Sequence, residues 1–169
     1  MKMKKAQVWL PDFLLAFILF ALALTLSMKF VVNMFPNQDY ARIMDDAERI
    51  SEVFMSEGVP VDWTNDTVIK PGLLTNGRFD FRKADNLSVM RYTDAKALFN
   101  TRYDFFIFTH NHSYPGPNIN YSYGYPSVSV SADKTSVDLS GIEYENLVKI
   151  DRFVVVDNAI NYLVIYVWD

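Results

Sequence analysis

The chain has 169 residues, half of them apolar, no cysteine and a formal net charge of −4. The absence of cysteine excludes disulfide staples and thiolate chemistry. Lys2, Lys4 and Lys5 are three of the 16 basic residues and leave 13 against 20 acids over the remainder, an acidic balance that gives no support for binding nucleic acid or anionic lipid.

The N-terminal stretch runs Lys4-Lys5-Ala6-Gln7-Val8-Trp9-Leu10-Pro11-Asp12, and residues 13–28 then carry no charge and only two polar side chains, Thr25 and Ser27. Crossing a hydrocarbon core of about 30 Å takes roughly 20 residues at about 1.5 Å each. Residues 13–28 fall slightly short, and residues 30–35, apolar but for Asn33, complete the span, with Lys29 extending its amine along its stem toward water. A membrane helix is predicted, ending at Pro36. Three lysines and no acid before it place the N-terminus in the cytoplasm and the rest of the chain outside. A cleaved secretory signal shares the basic start, and Ala21-Leu22-Ala23 or Thr25-Leu26-Ser27 would serve as its cut site. Against it, apolar sequence resumes beyond Lys29, and Gln7, Pro11 and Asp12 break the beginning of the run.

Asp12 has two readings. It is either the N-cap of a helix that Pro11 cannot continue backward, or a carboxylate neutralised by an amine in a seam between helices. Left unpaired within a bilayer it would cost roughly 3 kcal/mol at the helix centre. Phe13, Phe17, Phe20 and Leu24 form a bulky row and Ala16, Ala23 and Ser27 a small one, a combination that lets helices nest.

Two lysines, a small residue, Gln, and a carboxylate shortly inside a long apolar helix resemble the class III signal peptide of archaeal type IV prepilins. The resemblance implies that a prepilin peptidase cuts between Ala6 and Gln7 on the cytoplasmic side, with Lys4, Lys5, Ala6 and Gln7 as the processing site. It implies that the helix stays on the mature protein and carries it into a filament, with Asp12, Phe13, Phe17 and Phe20 in assembly. In that family a carboxylate at the fifth mature position pairs with a neighbour's terminal amine; here the fifth position is Pro11 and Asp12 is the sixth. Segments 56–63, 100–104 and 146–156 with Tyr166-Val167-Trp168 are similar to uncharacterised archaeal prepilin-like membrane proteins. The partners so implied are copies of this chain or other pilins, the peptidase and assembly machinery, and membrane lipid before assembly.

Beyond Pro36, residues 38–57 predict an amphipathic helix, with Ile43, Ala47, Ile50 and Phe54 on one face and Asp45, Asp46, Glu48, Arg49 and Glu52 on the solvated one. Gly58 and Pro60 stop it, with Trp63 packed beneath. Short strands are expected at 68–69, 73–74 and 79–81 around Pro71-Gly72 and Asn76-Gly77 turns. A helix follows over 93–99, capped by Thr93. Residues 102–109 are apolar on both parities, as in a central strand with Arg102 and Asp104 on a sheet face. Residues 109–126 read as a long loop whose Tyr114, Tyr121, Tyr123 and Tyr125 either form a contact patch or cover the sheet edge. Alternation around Val128 and Val130 predicts a half-exposed strand. The C-terminal runs Leu147–Val156 and Ala159–Trp168 form a hairpin about Asp157-Asn158.

The expected fold is α+β: a long N-terminal transmembrane helix packed on an antiparallel sheet head, type IV pilin-like by resemblance. The domains are a signal segment 1–6, the apolar helix 7–35 and an external head 36–169. His110 and His112 make a two-ligand motif with no third ligand nearby, so no metal site is expected. Sequons at Asn65, Asn86, Asn111 and Asn120, four among twelve asparagines, support a glycosylated surface protein. No Gly-x-Ser-x-Gly elbow, phosphate-cradling glycine loop or zinc signature is present, so neither an enzyme nor a cofactor is expected. Two functions remain: a pilin or minor pilin of a surface filament used for adhesion or assembly, and a single-pass anchored binding module that never polymerises.

Overall fold

The computed structural model describes residues 9–34, 38–113 and 116–169. The chain divides into two compact units, Met1–Gln38 and Asp39–Asp169. In the first, helix α1 runs Trp9–Met34. Within it Leu10–Val31 is a 22-residue stretch of mean hydropathy 2.3, about 33 Å long at the helical rise and so long and apolar enough to cross a membrane. The hydroxyl of Thr25, which would be costly in an apolar surround, donates to the carbonyl of Ala21 at 2.7 Å.

The second unit is the head. Its elements are α2 (Gln38–Phe54), β1 (Leu74–Thr75), β2 (Arg78–Phe79), α3 (Phe81–Ser88), α4 (Tyr92–Leu98), β3 (Asp104–Ser113), β4 (Gly116–Gly124), β5 (Ser129–Val130), β6 (Val137–Asp138), β7 (Leu147–Val156) and β8 (Ala159–Trp168). Six strands form one sheet in the order β1-β2-β7-β8-β3-β4, antiparallel except where β2 meets β7, and β5 pairs with β6 separately. The class is therefore α+β with an antiparallel-rich sheet. The helix end expected at Pro36 lies outside the described residues.

The apolar face of α2 matches its periodicity: Ile43, Ala47, Ile50 and Phe54 are all fully buried. They join Phe105 and Ile107 of β3 and Leu163, Ile165 and Val167 of β8 in the principal core. The alternate residues Phe106, Phe108, Val164 and Trp168 face the other way, where Val128, Leu139 and Ile142 lie over them. β3 and β8 are thus buried on both faces, which is why residues 102–109 lack an apolar–polar alternation. Polar ties hold α2 in place as well. Arg152 reaches across from β7 to Ser51 at 3.0 and 3.1 Å, and Asp46 accepts from buried Thr101 at 2.8 Å while pairing with Arg49 at 2.7 Å. Arg49 also donates to the carbonyls of Phe99 and Asn100. Asp46, grouped by sequence with a merely solvated acidic face, is therefore a structural anchor.

The region after α2 differs from expectation. Residues 68–69 are not a strand: between Pro60 and Pro71, neither of which has an amide hydrogen, pairing is limited to one bridge, Val59 to Lys70. Asn76 (φ 52°) and Gly77 (φ 72°) do make the β1–β2 turn. The expected strand at 79–81 stops at Phe79, because Asp80 accepts from the Arg82 amide at 2.9 Å and caps α3. Burial acts to raise the Asp80 pKa, but hydrogen bonds from Arg82 and Thr75 outweigh it and hold the carboxyl below its usual range. α3 carries the buried Lys83, whose ammonium donates to the carbonyls of Glu57 at 2.8 Å and Leu74 at 2.6 Å, joining the end of α2 to the first hairpin. α4 starts one residue earlier than expected, at Tyr92. Its cap position is Arg91, without a side-chain cap bond, so Thr93 is not the cap.

The largest correction concerns residues 109–126, which are not a long loop. β3 continues to Ser113 and β4 returns beside it from Gly116. Pro117 is tolerated because β4 is an edge strand. The register shifts at Thr109/His110, leaving Asn120 as an extra residue between Ile119 and Tyr121. The bulge puts Ile119 on the outer face and Tyr121 in the helix-side core, so the strand loses the period-two pattern by which it would be recognised. Val130 does belong to a strand, but β5 is only two residues long.

Candidate functional site

Two regions stand out, one in each unit. On α1 every described side chain from Leu10 to Val31 is exposed. Phe13, Phe17 and Phe20 are 57%, 60% and 64% exposed, and the rings of Phe13 and Phe17 stack at 6.4 Å. At 3.6 residues per turn, Phe13, Phe17, Phe20 and Leu24 fall in a stripe about 60° wide, with Ala16, Ala23 and Ser27 in a small-residue stripe directly beside it. Asp12 lies in the first turn of this helix, not at its cap, since α1 already includes Trp9 and Pro11. Pro11 is accommodated there because the first-turn amides have no intrahelical acceptor in any case. The Asp12 carboxylate consequently sits at the positive end of the helix dipole, next to the bulky row. Lys4, Lys5, Ala6 and Gln7 lie outside the described residues.

In the head, the base is where the chain enters. Asp39, Arg102, Tyr103 and Asp169 line a shallow cleft of about 290 Å³. Beside it a larger open cleft of about 700 Å³ is lined by Arg42, Asp45, Asp46, Lys96, Asn100 and Arg102 among others. Arg102 precedes β3 instead of lying on the sheet face; its guanidinium sits 4.8 Å over the Tyr103 ring and donates to the Tyr103 hydroxyl at 2.6 Å. Asp104, which is on β3, accepts from Lys96 at 2.6 Å and from Tyr92 at 2.9 Å. Sequence reading missed this cleft because Arg42, Lys96 and Arg102 are far apart in the chain and no local motif joins them.

β7 begins, β8 ends and β3 begins at this base, so the Asp157-Asn158 turn and the far end of the β3–β4 hairpin lie at the opposite end of the sheet. Nine residues of strand separate the two ends, roughly 30 Å.

The tyrosines between 109 and 126 cover the sheet edge and tie helices to it. The Tyr121 hydroxyl donates to the carbonyl of Ala84 at 3.1 Å and the Tyr123 hydroxyl to that of Met90 at 3.1 Å. Tyr125 packs edge-on against Tyr92 and Trp168, both at 5.7 Å. Tyr114 lies outside the described residues. Burial raises the pKa of Tyr123 to about 12, and raises those of Tyr92 and Tyr121 further. These phenols stay protonated in the fold where those of an unfolded chain ionise near pH 10. Their contribution to stability is thus complete below about pH 10 and lost as pH rises beyond it. A urea midpoint that is flat from pH 8 to 9.5 and falls steeply toward pH 12, less steeply in Tyr123→Phe, is expected; identical profiles for the two proteins would contradict the assignment.

His110 stacks on Tyr162 at 5.0 Å with an interplanar angle of 8° and on Phe108 at 6.0 Å, as part of an aromatic column that continues to Phe153. The side chain of His112 is outside the described set. Among the described residues no group of three or more His, Asp or Glu side chains is placed to hold a metal ion.

The sequons differ in setting. Asn65 and Asn120 are exposed; Asn86 donates its side-chain amide to the Trp63 carbonyl at 3.2 Å, and Asn111 accepts from the Asn118 amide at 3.2 Å.

Together these features define an α+β head, with an amphipathic helix on an antiparallel-rich sheet, in a chain whose N-terminal helix is long and apolar enough to span a membrane. Comparison with family models, curated proteins and solved structures found no match.

Proposed function

We propose that the chain is a structural subunit, a pilin or minor pilin, of an archaeal type IV-like surface filament, held first in the bilayer and then in the filament core by α1. The observation that carries this reading is the fully exposed apolar helix with bulky and small stripes side by side, in a chain whose head has its own core. Apolar surface of this extent is not stable in water, and it is covered equally well by lipid or by identical helices. The head then stands outside the cell, available for adhesion or subunit contact. The resemblance of residues 4–12 to class III signal peptides supplies the processing step, with prepilin peptidase and the assembly machinery as partners.

The competing reading is a single-pass anchored protein that never polymerises and recruits a partner through the head. On that reading the cleft lined by Arg42, Asp45, Asp46, Lys96 and Arg102 would be the partner's docking place.

Intact mass of the protein taken from its native membrane tests the common premise. A mature chain starting at Gln7 is expected, and Ala6→Trp should accumulate the uncut precursor in the membrane. A start near Met28 would mean a secreted soluble domain and overturn both readings.

A further inference from the structure

The four sequons share one chemistry, and the fold separates them. We propose that Asn65 is the acceptor of an N-linked oligosaccharide on the folded head, an inference that rests on the reading that places the head outside the cell.

Transfer to a folded protein needs the side-chain amide in solvent and a tripeptide that can enter a transferase without dismantling the structure around it. Asn65-Asp66-Thr67 meets both conditions. Residues 64–67 are all exposed and form a tight turn in which the amides of Thr67 and Val68 donate to the Thr64 carbonyl, each at 3.1 Å. Thr67 Oγ1 accepts from the Thr64 amide at 3.0 Å, holding the sequon hydroxyl on the same turn. Val68 at the end of the turn packs against the core, but Asn65, Asp66 and Thr67 themselves stay clear of it, and an oligosaccharide on Asn65 would project into water.

The other three fail on geometry. Asn86-Leu87-Ser88 is in α3: Asn86 Nδ2 is engaged with the Trp63 carbonyl, Leu87 is fully buried, and Ser88 Oγ donates to the Ala84 carbonyl at 3.0 Å. Asn111 is half-buried in β3 with its side-chain oxygen on the Asn118 amide, and all three residues of its tripeptide are paired with β4, so presenting it means opening that hairpin. Asn120 is exposed, but its neighbour Tyr121 is buried and bonded to α3, so presenting this tripeptide means peeling the edge strand from the sheet. Exposure alone does not distinguish Asn65 from Asn120; the burial of the middle residue does.

In the transfer, Asn65 Nδ2 attacks the anomeric carbon of a lipid-linked, phosphate-activated oligosaccharide. A carbon–nitrogen bond forms as the bond from that carbon to the phosphate oxygen breaks. The lipid phosphate leaves with the electron pair, and the amide proton passes to a base of the transferase.

The test is glycopeptide mass spectrometry of the protein from its native cells, with intact mass and protease access on whole cells measured on the same sample. The Asn65 peptide is expected to carry the glycan and the Asn86 peptide to be bare, and Asn65→Gln should lower the intact mass by that glycan. A bare Asn65 on a chain that starts at Gln7 and is cut by external protease overturns this proposal alone. A bare Asn65 on a chain protected from that protease overturns it together with the placement of the head outside. A glycan on Asn86 with Asn65 bare also overturns it, because modification would then precede folding.

Discussion

Trp63→Ala is expected to destabilise the head by about 3–5 kcal/mol, the range for deleting a large buried ring. Against a total of about 5–15 kcal/mol for a domain, that is a large share. Trp63 is 1% exposed and donates its indole N–H to the Gly72 carbonyl at 2.9 Å. Its own carbonyl receives the Asn86 amide at 3.2 Å. The ring lies against the chain at Gly58, where an added Cβ would come within 2.6 Å of Trp63 Cδ1, and Gly58 takes a φ of +80°. The side chain therefore joins the stop of α2 to the segment leading to β1, while the backbone carbonyl of the same residue holds α3. Its removal leaves a cavity with little able to collapse into it, and orphans the Gly72 carbonyl. Thermal unfolding of the full chain in detergent should show a loss of roughly 10–25 °C. Trp63→Phe should fall between the two, retaining most of the packing and losing the hydrogen bond. A loss of less than about 1 kcal/mol in Trp63→Ala would refute the account of this corner.

If Asp12 serves assembly in the filament proposed above, Asp12→Ala is expected to leave membrane insertion intact and abolish surface filaments. The carboxylate is in the first turn of α1, beside the row of Phe13, Phe17 and Phe20. Its interaction with the helix dipole is worth only about 0.3–1 kcal/mol, too little for α1 to depend on it. Removing a charge from an apolar helix also makes insertion easier, not harder. An assembly role is different in scale, because an amine from a neighbouring helix brought into an apolar seam without its counter-charge costs several kcal/mol at every subunit. Counting filaments by electron microscopy while measuring membrane-bound protein separates the two cases. Filaments at the normal level in Asp12→Ala would end the pairing role and leave the carboxylate as a local helix-end charge.

The elements legible in the sequence are those whose signal is local. The face of α2 could be read because Ile43, Ala47, Ile50 and Phe54 repeat at the helical period and are all buried. The β7–β8 hairpin could be read because Asp157 and Asn158 tolerate the positive φ of 47° and 65° that its turn requires. α3 was hidden because Phe79, Asp80 and Phe81 alternate like a strand while Asp80 acts as a cap, a choice made by hydrogen bonds from Thr75 and Arg82. β4 was hidden by its proline, glycines and tyrosines, and by a bulge at Asn120 that reverses its parity. The cleft at the base of the head could not be read at all, since Arg42, Lys96 and Arg102 are brought together only by packing.

By itself the sequence determined the apolar helix, the amphipathic one after it and the long C-terminal hairpin, because each follows from the spacing of residues close together in the chain. Only the tertiary structure decided which polar groups are spoken for. Asp46, Lys83, Asn86 and Tyr121 resemble surface residues in sequence, yet each is committed to a partner from another part of the chain. Burial and long-range hydrogen bonds are set by what the rest of the fold places opposite a residue, and no local pattern carries that information.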